Sequence, residues 1–372
     1  MIRPYIPRDF TTEKIHMRIS VSTLFVFLMM LSSSNALHAL VVLQYHHVSE
    51  KTPAITSISP KQFAEHMQYL SDNNFSVIDI KDLSGLLAQK DLPDKTVIIT
   101  FDDGYSSIFT EALPILKKHN FPFTVFISSE PHDQQLEGYL SWAQLRQLQK
   151  YAATLANHSY GHEHLIRQKS GLSTTDKKAI WRNNINKNQQ RIRQETGSNS
   201  MIFAYPYGEY TPELQTLLEN MGYIAFSQLS GPISNNSSKT ALPRFAFAGG
   251  YSNLEDFILK VNTLPFSNME NRIYDDKGRV LHSPLLPNNL KQPTLTLRFN
   301  ATVASQLQCF ASGQGKIPTQ QNENSWIAKT DEDLKPGRRR YNCTSNAGNN
   351  RFYWHSEFFM LKHDDGIWYD EY

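Results

Sequence analysis

Two short segments about fifty residues apart carry the side chains best suited to chemistry. The first is Thr100-Phe101-Asp102-Asp103-Gly104-Tyr105 and the second is Asn157-His158-Ser159-Tyr160-Gly161-His162. Together they offer two adjacent carboxylates and two imidazoles at i, i+4. Two imidazole nitrogens and one carboxylate oxygen are the ligand set of a catalytic metal that keeps a position open for water. A spare carboxylate beside that water is what metal-assisted hydrolysis needs as a base. The plainer reading of the first segment is an Asp-Asp-Gly turn in which Asp caps the next helix. A lone histidine is more often a packed or surface residue than a ligand, but a spaced pair just after a strand favours ligation. His164 does not share a helical face with His158 and reads as supporting or structural.

These side chains need elements to place them. Residues 96–101 are a short β-branched apolar run, the mark of a buried parallel strand, with Asp102 and Asp103 at its C-terminal end. Gly104 then frees the backbone to turn, and residues 106–119 read as a helix. Residues 151–157 read as another strand, followed directly by His158. Carboxylates at the C-terminal ends of parallel strands face the site of an α/β barrel. Across residues 40–262 further strands are predicted at 76–80, 123–127, 201–205 and 223–226. Helices are predicted at 63–73, 82–89, 142–150, 174–195 and 212–221. Such alternation means a parallel sheet or barrel.

With both segments placed, the chain resembles the polysaccharide deacetylases, the NodB-homology family or carbohydrate esterase family 4. TFDDGY (100–105) and HSYGH (158–162) resemble the first two family motifs. Phe203-Ala204-Tyr205-Pro206-Tyr207-Gly208-Glu209-Tyr210 is similar to the third, R-x-P-Y-G, and Leu140-Ser141-Trp142-Ala143-Gln144-Leu145 is also family-like. The resemblance covers about residues 40–262. It implies a distorted (β/α)7 barrel. It also implies roles: Asp102 as general base, Asp103, His158 and His162 as metal ligands, and the Tyr207 backbone N–H as an oxyanion donor. The implied metal is zinc, and cobalt or nickel would suit the same ligands.

Two departures matter. Ala204 stands where the family has an arginine that orients the base. Arg244, in Leu242-Pro243-Arg244-Phe245, is a candidate for the missing cation; the alternative is a surface arginine after a loop proline. The late L-x-x-H motif that supplies the general acid is absent between residue 210 and the end of the barrel. Upstream, Val41-Val42-Leu43-Gln44-Tyr45-His46-His47-Val48 resembles the Y-H-x-[VI] start of the exopolysaccharide deacetylase branch, which includes poly-β-1,6-N-acetylglucosamine deacetylases. His46 is therefore the candidate acid, with a structural histidine at the barrel mouth as the alternative. His47 should face the other way on a strand.

At 372 residues the chain has room for two domains. The expected division is an N-terminal extension and signal peptide (1–39), a catalytic domain (40–264) and a β-rich C-terminal domain (265–372). Hydrophobic content of 40% and charged content of 19% are those of an ordinary globular protein. Met17-Arg18, an apolar run over 19–31 and Ser32-Ser33-Ser34-Asn35-Ala36 read as a secretory signal cleaved after Ala36 or Ala39. The apolar run is short for a membrane span, and an uncleaved anchor is the alternative. Met17 is a second candidate start. Residues 1–36 hold four basic side chains (Arg3, Arg8, Lys14, Arg18) and two acidic ones (Asp9, Glu13), so cleavage takes the formal net charge from +2 to zero. Neutrality argues against nucleic acid as a partner. The cluster Arg338-Arg339-Arg340 reads as a solvated loop.

The texture changes after residue 264, where Asn, Ser, Pro and Gly become frequent. Strands are expected at 294–299, 351–355, 358–361 and 367–369, making a small sandwich-like domain. Its aromatics (Trp326, Tyr341, Tyr353, Trp354, Trp368, Tyr369) either stack on sugar rings or fill core and interface positions. Cys309 and Cys343 are the two cysteines of the chain. In an exported protein they are expected to form a disulfide, stabilising the fold by roughly 3–4 kcal/mol.

The reading is an exported, periplasmic or secreted, metal-dependent hydrolase that removes N-acetyl groups from an N-acetylglucosamine-containing polysaccharide. No nucleic-acid partner and no membrane domain after signal cleavage are expected. The alternatives are a sugar O-acetyl esterase and a non-catalytic carbohydrate-binding or assembly protein that kept the barrel. The intact Asp102, Asp103, His158 and His162 set speaks against the last of these, and Ala204 for it.

Overall fold

The computed structural model describes residues 39–89, 92–299 and 306–370. The signal-peptide and start-site readings lie outside the described residues. Seven strands run in order round the barrel sheet, with the short Ser76–Val77 pairing beside the second as an eighth off this path: β1 (Leu40–Tyr45), β2 (Thr96–Phe101), β3 (Phe123–Ile127), β4 (Ala153–Asn157), β5 (Ile202–Ala204), β6 (Ile224–Phe226) and β7 (Phe245–Ala246). All neighbouring pairs are parallel, in the order β7-β1-β2-β3-β4-β5-β6. Closure is completed just ahead of β7. Leu242 N–H donates to the Ala225 carbonyl, and Ser227 N–H donates to the Leu242 carbonyl, 2.9 and 3.0 Å. The fold is thus the expected distorted (β/α)7 barrel, followed by strand-rich C-terminal sheets.

Strand parity decides what faces inward. Val42, Ile98, Phe126, Ala156 and Ala204 belong to one buried cluster, the barrel interior. Val41, Val97, Val125 and Leu155 belong to another, packed against Phe63 and Met67 of helix α1 (Pro60–Asp72) and Leu113 and Leu116 of α2 (Leu113–His119). Burying each such side chain contributes about 1.5–3 kcal/mol. Two steps beyond Val42 comes Gln44, then His46; two steps beyond Thr100 comes Asp102; two beyond Ala156 comes His158. The alternation that fills the interior with methyl groups therefore brings polar groups in at the strands' C-terminal ends.

Local chemistry starts the helices. Ser59 caps α1 and Ser141 caps α3 (Trp142–Gln149), each with a glutamine three residues on that closes a capping box. The long polar helix expected at 174–195 is α4 (Thr174–Thr196); it ends at Gly197, whose φ of 74° suits glycine. Helix α5 is Pro212–Asn220 and α6 is Leu254–Val261. Other expectations shrink. The strand at 76–80 is Ser76–Val77 and the helix at 82–89 is Leu83–Leu86. The helix expected over 106–119 opens as a π-turn, Ile108–Ala112. Pro114 has no N–H to give the Thr110 carbonyl, so a regular α-turn cannot form there.

The C-terminal strands are β8 (Leu264–Pro265), β9 (Met269–Tyr274), β10 (Val280–Leu281), β11 (Thr294–Phe299), β12 (Leu307–Ala311), β13 (Gly315–Ile317), β14 (Thr319–Asn322), β15 (Ser325–Ala328), β16 (Gly337–Gly348) and β17 (Arg351–Leu361). They make two sheets, β8-β17-β16-β12-β13 and β10-β9-β11-β15-β14. Cys309 on β12 stands directly across from Cys343 on β16, and the two are joined. Three expectations need correction. The strands at 351–355 and 358–361 are one, β17. Residues 367–369 form no strand; Tyr369 is instead drawn to a carboxylate on the barrel. Arg338, Arg339 and Arg340 lie on β16 rather than in a solvated loop, and alternation turns Arg338 and Arg340 to the barrel side. The aromatics mostly fill interfaces: Trp354 packs edge-on against Phe245 of β7, and Tyr353 stacks on Phe266.

Candidate active site

Asp102 follows β2 and is wholly buried. Arg244, also 0% exposed, donates to both of its oxygens: Nη1 to Oδ1 at 2.6 Å and Nη2 to Oδ2 at 2.8 Å. Arg244 is set in turn by Nε donating to the Ser227 carbonyl, 3.1 Å, and by the Phe126 ring beneath its guanidinium. Gln44 Nε2 donates to Asp102 Oδ2 at 2.7 Å, and His46 Nε2 stands 3.9 Å from the same oxygen. Burial alone would raise the Asp102 carboxyl; the Arg244 guanidinium and the nearby His158 and His46 imidazoles together outweigh it, and the group is held below the usual carboxylate range.

Asp103 is turned differently from its neighbour. Its backbone is left-handed (φ 71°), as is Gly104 (φ 76°). A Cβ on Gly104 would come within 2.8 Å of the His132 ring, so only glycine fits this turn. Asp103 Oδ1 lies 3.4 Å from His158 Nε2 and 3.3 Å from His162 Nε2. The His158 Nδ1 proton goes to the Ala204 carbonyl at 2.8 Å, which leaves the Nε2 lone pair facing Asp103. Both Asp103 Oδ1 and His158 Nε2 are buried without a hydrogen-bond partner. Burial holds the His162 imidazole down to about 4, neutral as ligation requires.

Asp103, His158 and His162 offer ligand atoms within 4.8 Å of one another. Two imidazoles, one carboxylate and two buried polar atoms without a hydrogen-bond partner fit a divalent metal. Ser159, His162 and Tyr207 join Asp103 in left-handed backbone conformations (φ 64°, 59° and 59°). Non-glycine residues seldom adopt this region, and clusters of them mark functional sites.

Tyr207 lies in the short turn Pro206–Gly208 beyond β5. Its ring centroid is 4.5 Å from that of His162 and its ring is stacked on His164, 3.6 Å and 9°. Every residue singled out from the sequence thus comes to one rim of the barrel: His46, Asp102, Asp103, His158, His162, Tyr207 and Arg244. Sequence reasoning missed several others. Gln44 carries no signal beyond its parity with His46. Asn188 of α4, 0% exposed, donates to the carbonyl of Ile127 and to Asn157 Oδ1, and steadies the loops holding the ligands. His47, expected to face the other way, stacks on Tyr105 with ring centroids 3.6 Å apart. Glu209 is buried and gathers His164, Arg167 and Tyr369.

Residues 89–226 match the family model described as polysaccharide deacetylase. Over those residues the chain is similar to the polysaccharide deacetylases. Its match ends at Phe226, so His46, Arg244 and the C-terminal sheets lie outside it. A putative polysaccharide deacetylase, YxkH of Bacillus subtilis, is 27% identical over 215 residues, 57% of this chain and 73% of that one. The poly-β-1,6-N-acetyl-D-glucosamine N-deacetylase of Escherichia coli K12 is 24% identical over 313 residues, 74% of this chain. The matched region is 46% of that enzyme's length. Among solved structures, IcaB from Ammonifex degensii superposes with a TM-score of 0.51 at 24% identity, covering 58% of this chain and 94% of that one. The Streptococcus pyogenes deacetylase PplD, in complex with acetate, gives 0.54 at 18% identity over 60% and 98%. These neighbours share the deacetylase fold of the barrel.

Proposed function

We propose that this chain is an exported, metal-dependent N-deacetylase of an N-acetylglucosamine-containing polysaccharide, with poly-β-1,6-N-acetylglucosamine as the first polymer to test. The observation that carries this reading is the contrast between the two aspartates. Asp102 is held by a buried arginine and a glutamine, whereas Asp103 Oδ1 and His158 Nε2 lie 3.4 Å apart, buried and without a hydrogen-bond partner. Residues 40–264 are the catalytic part and 265–372 the C-terminal part.

Asp103, His158 and His162 would hold the ion, zinc or another divalent metal of similar preference. When bound, it supplies Lewis acidity toward an acetyl carbonyl and its attacking water. The chain's own groups do the rest. Asp102 accepts the proton of the water; Arg244 and Gln44 fix the direction of its carboxylate. The Tyr207 N–H stabilises the oxyanion that forms on the acetyl carbonyl oxygen when water adds to its carbon. His46 protonates the departing amine, so that acetate and a glucosamine unit leave.

The test is acetate release by the purified protein from a panel of poly-β-1,6-N-acetylglucosamine, chitin oligomers and peptidoglycan, with and without a chelator. Release that stops with chelation and returns with metal is expected. His158→Ala combined with His162→Ala should bind no stoichiometric metal by mass spectrometry and release no acetate. Full metal occupancy in that variant would remove the ligand assignment. Release of acetate only from O-acetylated sugars would make the protein an esterase.

A further inference from the structure

The turn that presents the Tyr207 N–H is held from outside the barrel. Within the turn, Gly208 N–H donates to the Tyr205 carbonyl at 2.9 Å and Glu209 N–H to the Pro206 carbonyl at 3.2 Å. These bonds close the turn on itself, and the Tyr207 ring rests on His164 of the barrel loop. Two C-terminal residues reach the turn as well. Arg338 of β16 donates from Nη1 to the Tyr207 carbonyl at 3.3 Å, and its guanidinium lies 5.4 Å from the centre of the Tyr207 ring. Tyr369 donates its hydroxyl to Glu209 Oε1 at 2.6 Å.

Glu209, 2% exposed, is shared by three segments. It also accepts from Arg167 Nη2 at 2.6 Å and from His164 Nδ1 at 3.0 Å, both from the loop that follows the ligand His162. Arg167 closes the circuit by donating to the Tyr369 carbonyl at 3.1 Å and lying over the Tyr369 ring at 4.3 Å. A buried carboxylate needs its donors, and loss of one leaves the rest of the network to rearrange. A second ion pair, Arg351 with Asp94 at 2.8 and 3.0 Å, joins the C-terminal part to the N-terminal end of β2, away from the mouth. Docking of the sheet and support of the turn are therefore separable.

We propose that the C-terminal part of the chain completes the active site: Arg338 of β16 and Tyr369 beyond the sheet are positioning residues that hold the Tyr207 turn in its left-handed working conformation. This rests on the deacetylase reading above. Tyr369→Phe and Arg338→Ala should lower kcat about 10- to 100-fold, the range for a small misplacement of a catalytic group. KM for the polymer and metal content should stay as in wild type, and Arg338→Lys should recover part of the loss. Arg351→Ala, which weakens docking at the far end, should lose stability and keep its kcat. Hydrogen exchange at the Gly208 and Glu209 amides should quicken in Tyr369→Phe and Arg338→Ala and stay unchanged in Arg351→Ala. Unchanged kcat in both turn variants, or an equal fall in Arg351→Ala, would overturn the proposal. If wild type releases acetate from no polymer, the deacetylase reading fails and exchange alone decides. Unaltered protection of Gly208 and Glu209 in Tyr369→Phe then refutes the positioning role, and faster exchange upholds it.

Discussion

A carboxyl group with no exposure to water would ordinarily stay protonated. Asp102 is ionised because Arg244 stands against both of its oxygens. Replacing Arg244 with Gln removes the counter-charge and leaves burial in command, so the Asp102 carboxyl rises. The acid limb of kcat/KM should then move to higher pH, and the fold should lose about 3–5 kcal/mol, the usual cost of breaking a buried pair. Asp102→Asn should retain metal while its rate drops about 10²–10⁴-fold; a rate near wild type would make Asp102 structural. His46, 3.9 Å from Asp102 Oδ2, carries the riskier assignment. His46→Ala should cut turnover and leave metal content unchanged. Arg244 was nameable from the sequence only as one of two readings of an arginine after a proline. Gln44 was not nameable at all, because a glutamine in a strand has no partner until the neighbouring strand is in register.

At the scale of elements, the strands supply position and the loops supply strain. Asp103 and His158 stand within two residues of a strand's end and His162 four residues after His158, and left-handed residues at 103, 159 and 162 turn the chain there. Glu209 is the clearest link between loops. Burial opposes its ionisation, but hydrogen bonds from His164, Arg167 and Tyr369 outweigh it and hold the carboxyl near 2, against an ordinary 4.5. A depressed carboxyl stabilises the fold fully above its unfolded value and loses that contribution as pH falls toward the folded one. The contribution is about 3 kcal/mol near neutrality. Denaturant titrations of wild type and Glu209→Gln should therefore differ most above pH 5 and converge as pH falls to about 2. A constant gap across that range would mean that Glu209 is not ionised against its partners. The motif spelling placed Glu209 beside Tyr207 but said nothing of His164 or Tyr369, which reach it from 45 and 160 residues away.

For the whole molecule, the barrel and the C-terminal sheets meet along the closing strand β7 and at both ends of the barrel. Among the described residues no helix is long and apolar enough to cross a membrane. The Cys309–Cys343 link ties β12 to β16, the strand that carries Arg338. Its loss in Cys309→Ser combined with Cys343→Ser should lower stability by about 3–4 kcal/mol, read as a fall in Tm. Peptide mapping of native protein without reductant should find one linked pair. Two free thiols would contradict both the bridge and an oxidising compartment.

What the sequence determined by itself was the chemistry and its parity. Apolar runs, glycine at 104, the serine caps and three spaced motifs are local properties, and local sterics and periodicity suffice to read them. The disulfide was equally legible, since two cysteines allow one pairing. Tertiary structure alone decided which polar groups meet. Arg244 reaches Asp102 across 142 residues because the sheet curls until β7 lies against β1. Arg338 of β16 and Tyr369 reach the Tyr207 turn because the chain that follows the barrel folds back against it. Contacts between segments so distant in the chain depend on closure and docking, which no window of sequence contains.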